Sequence, residues 1–297
     1  MSGLWRDIGR WLSAARPKTL LLAATPVLAG TALALIETGR IDVLTALVTL
    51  LAAVAIQVGT NLYNDAADFE RGTDTADRVG PPRATARGWF TPRQVKVAAH
   101  LSFLTAFLLG SYLCVRGGWP ILCLGLASLA AGYAYTSGPR PIAYGPFGEI
   151  FVLLFFGIAA VSGSYYLQTF SFAGHSLALG LALGLPASAV LLLNNYRDLE
   201  TDRRAGRRTL CHYLGTQRAR ILYAALLVAP FPILILTDLP GRAWPMLVAL
   251  PFGYVLITQL FRGAERAELN AMLGSTALFQ AALAILVLIG LGLPAVA

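Results

Sequence analysis

Two short stretches carry most of the side chains able to do chemistry: NLYNDAADFERGTD from Asn61 to Asp74, and LLNNYRDLETDRRAGRRTL from Leu192 to Leu210. Each holds an Asn and an Asp four residues apart, Asn64 with Asp68 and Asn194 with Asp198, and the second continues four further to Asp202. Four residues turn an α-helix through roughly 400°, so these side chains stack on one face as a ladder of oxygens. Carboxylates crowded at the end of an apolar run repel one another and demand a cation or cationic partners. The spacing fits a magnesium site, with Asn64, Asp68, Asn194, Asp198 and Asp202 as the rungs of the two ladders. Charged residues at the end of an apolar segment are commonly just the wet end of a membrane helix. These two copies differ in lying 130 residues apart at both positions, and matching polar motifs in two halves of a membrane protein commonly build one site between them.

Eight of the 15 acidic residues fall in or beside these stretches: Asp65, Asp68, Glu70, Asp74, Asp77, Asp198, Glu200 and Asp202. They are interleaved with Arg71, Arg78, Arg83, Arg197, Arg203, Arg204, Arg207 and Arg208. Such a mixture suits a metal-bridged phosphate ligand: the metal links carboxylate to phosphate oxygens, and guanidinium forks hold the remaining phosphate oxygens. A transporter of bare metal ions has less need of the arginines.

The elements that must position these residues are membrane helices. A chain of 297 residues that is 57% hydrophobic and 13% charged, with mean hydropathy +0.65, is an all-α polytopic membrane protein rather than a soluble domain. The net charge of +8 does not imply nucleic acid, because the basic residues fall in loops between apolar segments. Cys114, Cys123 and Cys211 show no pairing or zinc-ligand spacing, and His100, His175 and His212 are equally scattered. Nine segments are long enough to span: 18–37, 43–63, 95–115, 119–136, 148–168, 175–195, 217–237, 243–262 and 271–292. The first follows Arg6, Arg10, Arg16 and Lys18 without a small-residue cleavage site, so it is a membrane helix and not a signal peptide.

With the N-terminus inside, 20 of the 23 Lys and Arg residues lie on inner segments, and only Arg40, Arg116 and Arg242 lie outside. That asymmetry predicts a cytoplasmic N-terminus, an outside C-terminus and both Asn/Asp ladders on the cytoplasmic face. The loop YAYTSGPRPIAYGPFGEI, from Tyr133 to Ile150, is rich in Gly and Pro and should be an ordered non-helical connection. In it Arg140 is placed to meet a phosphate, and Tyr135 or Tyr144 to offer a ring face or hydroxyl.

Taken together, ARPKTL from Ala15, NLYNDAADFERGTDTADRVGPPR from Asn61, YTSGPRPIAYGPFGEI from Tyr135, GSYYLQ from Gly163 and LNNYRDLETDRRAGRRTL from Leu193 resemble the UbiA superfamily of intramembrane prenyltransferases. Within it, DRVGPPR, GPRP and NNYRDLETDRRAG resemble the 1,4-dihydroxy-2-naphthoate polyprenyltransferases of menaquinone biosynthesis. The resemblance covers most of the chain and implies a single domain over 1–297, with nine transmembrane helices around a central cavity. Its half-motifs lie near 61–78 and 194–208, at the cytoplasmic mouth of a bacterial inner-membrane protein.

The resemblance also implies Mg2+ as cofactor, a polyprenyl diphosphate and 1,4-dihydroxy-2-naphthoate as substrates, and loss of diphosphate and CO2 to give demethylmenaquinone. Asp68, Asp198 and Arg140 would be catalytic, and Arg16, Lys18, Arg78 and Arg140 would grip diphosphate. Asp65, Asp74, Tyr135 and Glu149 stand as further candidates, with Glu149 or a tyrosine open as a base. Where many relatives carry a third Asp four residues after Asp68, this chain has Gly72, with Asp74 two further on. Related acceptors such as 4-hydroxybenzoate or homogentisate, phytyl transfer, and a cation or phosphate transporter are the competing readings.

Overall fold

Inside a bilayer no water is available to satisfy peptide groups, so a spanning segment must close its own backbone hydrogen bonds, and this chain does so with helices. The computed structural model describes residues 3–72, 82–237 and 244–293, and no strand occurs among the described residues. The helices are α1 (Gly3–Ala15), α2 (Pro17–Thr38), α3 (Val43–Glu70), α4 (Pro92–Ala134), α5 (Gly148–Thr169), α6 (Gly174–Arg197), α7 (Leu199–Arg204), α8 (Leu210–Leu236), α9 (Trp244–Phe261) and α10 (Arg266–Gly292). All except α1 and α7 are long and apolar enough to cross a membrane. The protein is an integral membrane protein.

The 43-residue α4 is two spans joined end to end. At Gly118 the backbone turns to φ 70°, ψ −158°, a conformation that glycine adopts without a Cβ penalty, and Pro120 follows. Its limbs, 92–117 and 119–134, bring the number of spans to nine among the described residues, as the apolar segments predict. Burial sorts the spans. The most apolar window of α6 is 78% buried and that of α4 only 17%, so α6 is the axis of the bundle and α4 a hairpin facing lipid. The main core joins Leu179, Leu183, Leu192 and Leu193 of α6 to Tyr223 of α8 and Phe279 of α10.

Three local features depart from the sequence reading. The residues before the first span form a separate helix, α1, whose Trp11 stacks on Phe90 at 4.0 Å. The helix α8 starts at Leu210, ahead of the predicted span start at 217, and is interrupted at Gly215 (φ 71°). Within α5, residues 154–159 wind as a π-turn, the single-turn insertion often found at functional sites. There the small residues of α5 and α6 meet backbone to backbone: a Cβ on Gly157 would lie 2.4 Å from the Gly180 carbonyl oxygen.

Candidate active site

The helix α3 runs seven residues past its predicted apolar end, which carries Asn64, Asp65 and Asp68 into regular helix. The second ladder is not one helix: α6 ends at Asp198 (φ −95°, ψ 7°) and Asp202 belongs to α7. Its four-residue spacing survives because Asp198 N–H still donates to the Asn194 carbonyl and Asp202 N–H to the Asp198 carbonyl, at 3.1 and 2.8 Å.

The two ladders face the same chemistry in matching ways. Arg83 Nη2 donates to Asp68 Oδ2 at 2.9 Å and to Asn64 Oδ1 at 3.3 Å. Arg197 Nη2 donates to Asp198 Oδ2 at 2.5 Å and to Asn194 Oδ1 at 2.9 Å. In each case one guanidinium nitrogen sits between an amide oxygen and a carboxylate oxygen four residues apart, a position suited to a hard cation with oxygen ligands. Arg207 ties the two halves together. It bonds Asp68 Oδ1, approaches Asp202 Oδ1 at 3.5 Å, and lies over the Tyr144 ring at 4.3 Å, while the Tyr144 hydroxyl donates to Asp68 Oδ1 at 3.3 Å. The two motifs therefore share one end of the bundle.

Beside these groups lies a cavity of about 920 Å³ lined by Arg16, Asn64, Arg83, Asn194, Asp198, Asp202, Arg207 and Tyr135, and by apolar residues of α2 to α6, whereas Asp68 is buried against Arg83 and Arg207 and does not itself line it. The donors fit a hard divalent cation, since paired Asn and Asp side chains offer the oxygen ligands such an ion takes. Among the described residues no three carboxylate, His or Cys groups cluster as a metal site. The Nε of Arg207 is buried without a hydrogen-bond partner among the described residues, a donor left for a ligand anion. Burial raises the Asp202 pKa to about 6, opposed by Arg207 and assisted by Asp198. Burial pushes the Tyr135 phenol well above its ordinary range, so it is a hydroxyl and not a phenolate. Burial disfavours charge on Arg207, yet Asp68, Tyr144 and Asp202 outweigh it and hold that guanidinium above its ordinary range.

The corner between α1 and α2 aims Arg16 into the cavity. Arg16 adopts φ 55°, ψ 71°, a left-handed conformation that costs a non-glycine residue about 1 to 3 kcal/mol, and the following Pro17 disfavours the helical alternative. Asn61 secures the corner by donating to the Ala15 carbonyl and the Thr19 hydroxyl, each at 2.9 Å.

The other sequence candidates divide. Lys18 lies at the exposed rim of the cavity. Asp65 accepts from the backbone N–H groups of Ala84 and Thr85 at 2.8 and 3.0 Å, so it anchors the loop carrying Arg83 and is turned from the cavity. Glu149 is buried behind the wall, accepting from Asn195 Nδ2 at 2.9 Å. Arg140 is exposed and does not line the cavity. Asp74 and Arg78 lie outside the described residues. The roles of Arg83, Arg197 and Arg207 were not assigned from sequence, although all three lie within the basic clusters beside the ladders. Asn270 of α10, which accepts from Arg197 Nη1 at 2.6 Å, carried no signal at all.

A family model for the UbiA prenyltransferase family matches residues 23–283. The chain is 36% identical to 1,4-dihydroxy-2-naphthoate octaprenyltransferase of Escherichia coli, covering 90% of this chain and 89% of that protein. To the enzyme of the same name from Mycobacterium tuberculosis it is 37% identical, covering 92% and 93%. Against that from Bacillus subtilis the identity is 35%, covering 86% and 81%. Among solved structures, a UbiA homolog from Archaeoglobus fulgidus bound to DMAPP and Mg2+ superposes with a TM-score of 0.67 at 16% identity, covering 94% of this chain and 99% of that one, a likeness of fold.

Proposed function

The chain belongs to the UbiA prenyltransferase family, and we propose that its 297 residues act as one domain that transfers a polyprenyl group from its diphosphate to 1,4-dihydroxy-2-naphthoate. The observation that carries the reading is the pair of Asn/Asp cradles, each spanned by a guanidinium that lines one apolar cavity.

In this reading Asn64 with Asp68, and Asn194 with Asp198 and Asp202, would hold Mg2+ against the diphosphate. The metal supplies positive charge that stabilises the leaving group. Arg16, Arg83, Arg197 and Arg207 supply further preorganised charge where negative charge develops on the diphosphate oxygens. The bond from prenyl C1 to the diphosphate oxygen breaks as C1 bonds the ring carbon. The carboxylate leaves as CO2 and its bonding pair returns to the ring, giving the hydroquinone form of demethylmenaquinone with no oxidant consumed. Phe151, Phe155 and Phe156 line the cavity, with Phe151 and Phe155 stacked at 6.0 Å, and their faces favour a cationic allyl group over its neutral precursor. The same apolar wall excludes water that would capture that cation. Tyr135, which lines the cavity, is the candidate for handling a ring-hydroxyl proton, Glu149 being buried behind the wall, and exposed Arg140 and Lys18 are the candidates for guiding the diphosphate to the rim.

The distribution of Lys and Arg, 20 of 23 on one side, supports a cytoplasmic mouth in a bacterial inner membrane with the C-terminus outside. Incubating the purified protein in lipid nanodiscs with octaprenyl diphosphate, Mg2+ and each acceptor in turn, followed by mass spectrometry, tests the reaction. Octaprenylated, decarboxylated naphthohydroquinone is expected; prenylation of 4-hydroxybenzoate in its place overturns the assignment.

A further inference from the structure

We infer that α1 is an interfacial helix: its outer stripe of Trp5, Ile8 and Leu12 sits in the bilayer leaflet at the cavity mouth, and this seating fixes the aim of Arg16. The consequence for Arg16 rests on the diphosphate donor proposed above, whereas the seating itself does not.

The helix has two unlike sides. At about 100° per residue, Trp5, Ile8 and Leu12 fall within an arc of roughly 60°. They are 64, 40 and 58% exposed. Ala14 and Trp11 turn toward the bundle, Ala14 buried in one cluster with Leu62, Ala66 and Val95, and Trp11 stacked on Phe90. Asp7 and Arg10 pair with each other at 3.0 Å, and Arg10 lies over the Trp89 ring at 6.0 Å. On the outer side a Cβ added to Gly9 would meet nothing within 4 Å. Among residues 5–15 only Ala14 is fully buried, so the protein covers a narrow strip of α1 and leaves three large apolar side chains bare.

Lipid is the occupant that fits this stripe. The cluster holding Ala14 also contains Tyr63, where the apolar part of α3 ends, and Val95 and Ala99, where the first limb of α4 begins. The helix therefore lies at the depth where two spans pass from hydrocarbon to headgroups. An aromatic and two aliphatic side chains beside Arg6 and Arg10 match helices that lie in the interface plane, with the apolar face about 5 to 10 Å into the headgroup and acyl boundary. The charge agrees: Arg6, Arg10, Arg16 and Lys18 stand against a single acid, Asp7, within residues 1–18, which suits anionic headgroups.

One residue joins α1 to α2. Arg16 makes the corner with its left-handed backbone, and its side chain lines the cavity. A helix held by lipid on one side and by Ala14 and Trp11 on the other does not swing about that corner. With the stripe unseated only the narrow protein contact remains, and the guanidinium loses its fixed direction.

The test puts the photocrosslinker p-benzoylphenylalanine in place of Ile8, of Leu12 and, as a control, of Arg6, in liposomes of phosphatidylglycerol and phosphatidylethanolamine, with adducts read by intact mass spectrometry. Phospholipid adducts about fivefold or more above the Arg6 control are expected at Ile8 and Leu12. No lipid adduct at these two positions, or protein dimers in their place, overturns the seating. In parallel, Ile8→Glu/Leu12→Glu should raise the donor KM about threefold or more with kcat within about twofold, equally for geranyl and octaprenyl diphosphate, while Ile8→Phe/Leu12→Phe keeps wild-type values. Lipid adducts together with an unmoved KM in the Glu variant overturn the link to Arg16. If Glu blocks insertion, Ile8→Ser/Leu12→Ser makes the same comparison. Should wild-type protein prenylate no dihydroxynaphthoate, the proposed function fails, and the adducts still decide where α1 lies.

Discussion

Asp65 and Asp68 stand three residues apart in one motif and serve different ends. Asp68 meets Arg83, Arg207 and Tyr144 just behind the cavity wall, whereas Asp65 spends its oxygens on the backbone of residues 84 and 85. Asp68→Ala or Asp198→Ala is expected to lower kcat by a hundredfold or more with the protein still inserted and folded, read by product mass spectrometry beside a membrane-extraction profile. Asp65→Ala should instead destabilise the fold by about 2 kcal/mol, because two buried N–H donors lose their acceptor, and thermal unfolding in detergent would show it. Asp202 adds a pH limb. With its carboxyl held near pKa 6 by burial, proton and metal compete for it as pH falls, so the donor KM measured with Mg2+ should rise below about pH 6. An Asp202→Asn variant should lose that limb; an unchanged profile excludes Asp202 as the group responsible. The ladders themselves could be read from the sequence, because helical spacing is written in residue numbers. The partnership of Arg83 and Arg207 with Asp68 could not, since it depends on how two loops fold back across the mouth.

At the scale of elements, the nine spans were legible because each needs about 20 apolar residues, a signal no soluble helix sustains. Less legible were the places where helices bend. The Gly118 break joins two helices end to end and reverses the course of α4, and the π-turn at 154–159 inserts one residue that side-chain periodicity does not reveal. The junction at Asp198 likewise splits a ladder that spacing alone reads as one helix. Tight contact at the π-turn makes a firm expectation. Gly157→Leu should destabilise the protein by about 3 kcal/mol or prevent its accumulation, because its side chain would collide with the backbone of Gly180 and Gly184. A melting temperature unchanged from wild type would show that α5 and α6 can separate without cost.

For the whole molecule, the distribution of basic residues predicts that a cysteine placed in the 203–208 loop reacts with a membrane-impermeant reagent only after the inner face is opened, whereas one placed near Gly39 reacts from outside. The reverse pattern would invert the bundle and put the mouth on the wrong side for a cytoplasmic donor. The guanidinium groups that span the cradles have a further consequence for traffic through that mouth. Acids already matched with internal counter-ions are poor chelators, so free Mg2+ should bind the substrate-free protein only weakly. A diphosphate, by drawing Arg83, Arg197 and Arg207 onto its own oxygens, would vacate the seats the metal needs. On the proposed function the protein would rest discharged, indifferent to the ions around it, and would become a metalloenzyme only in the company of its lipid.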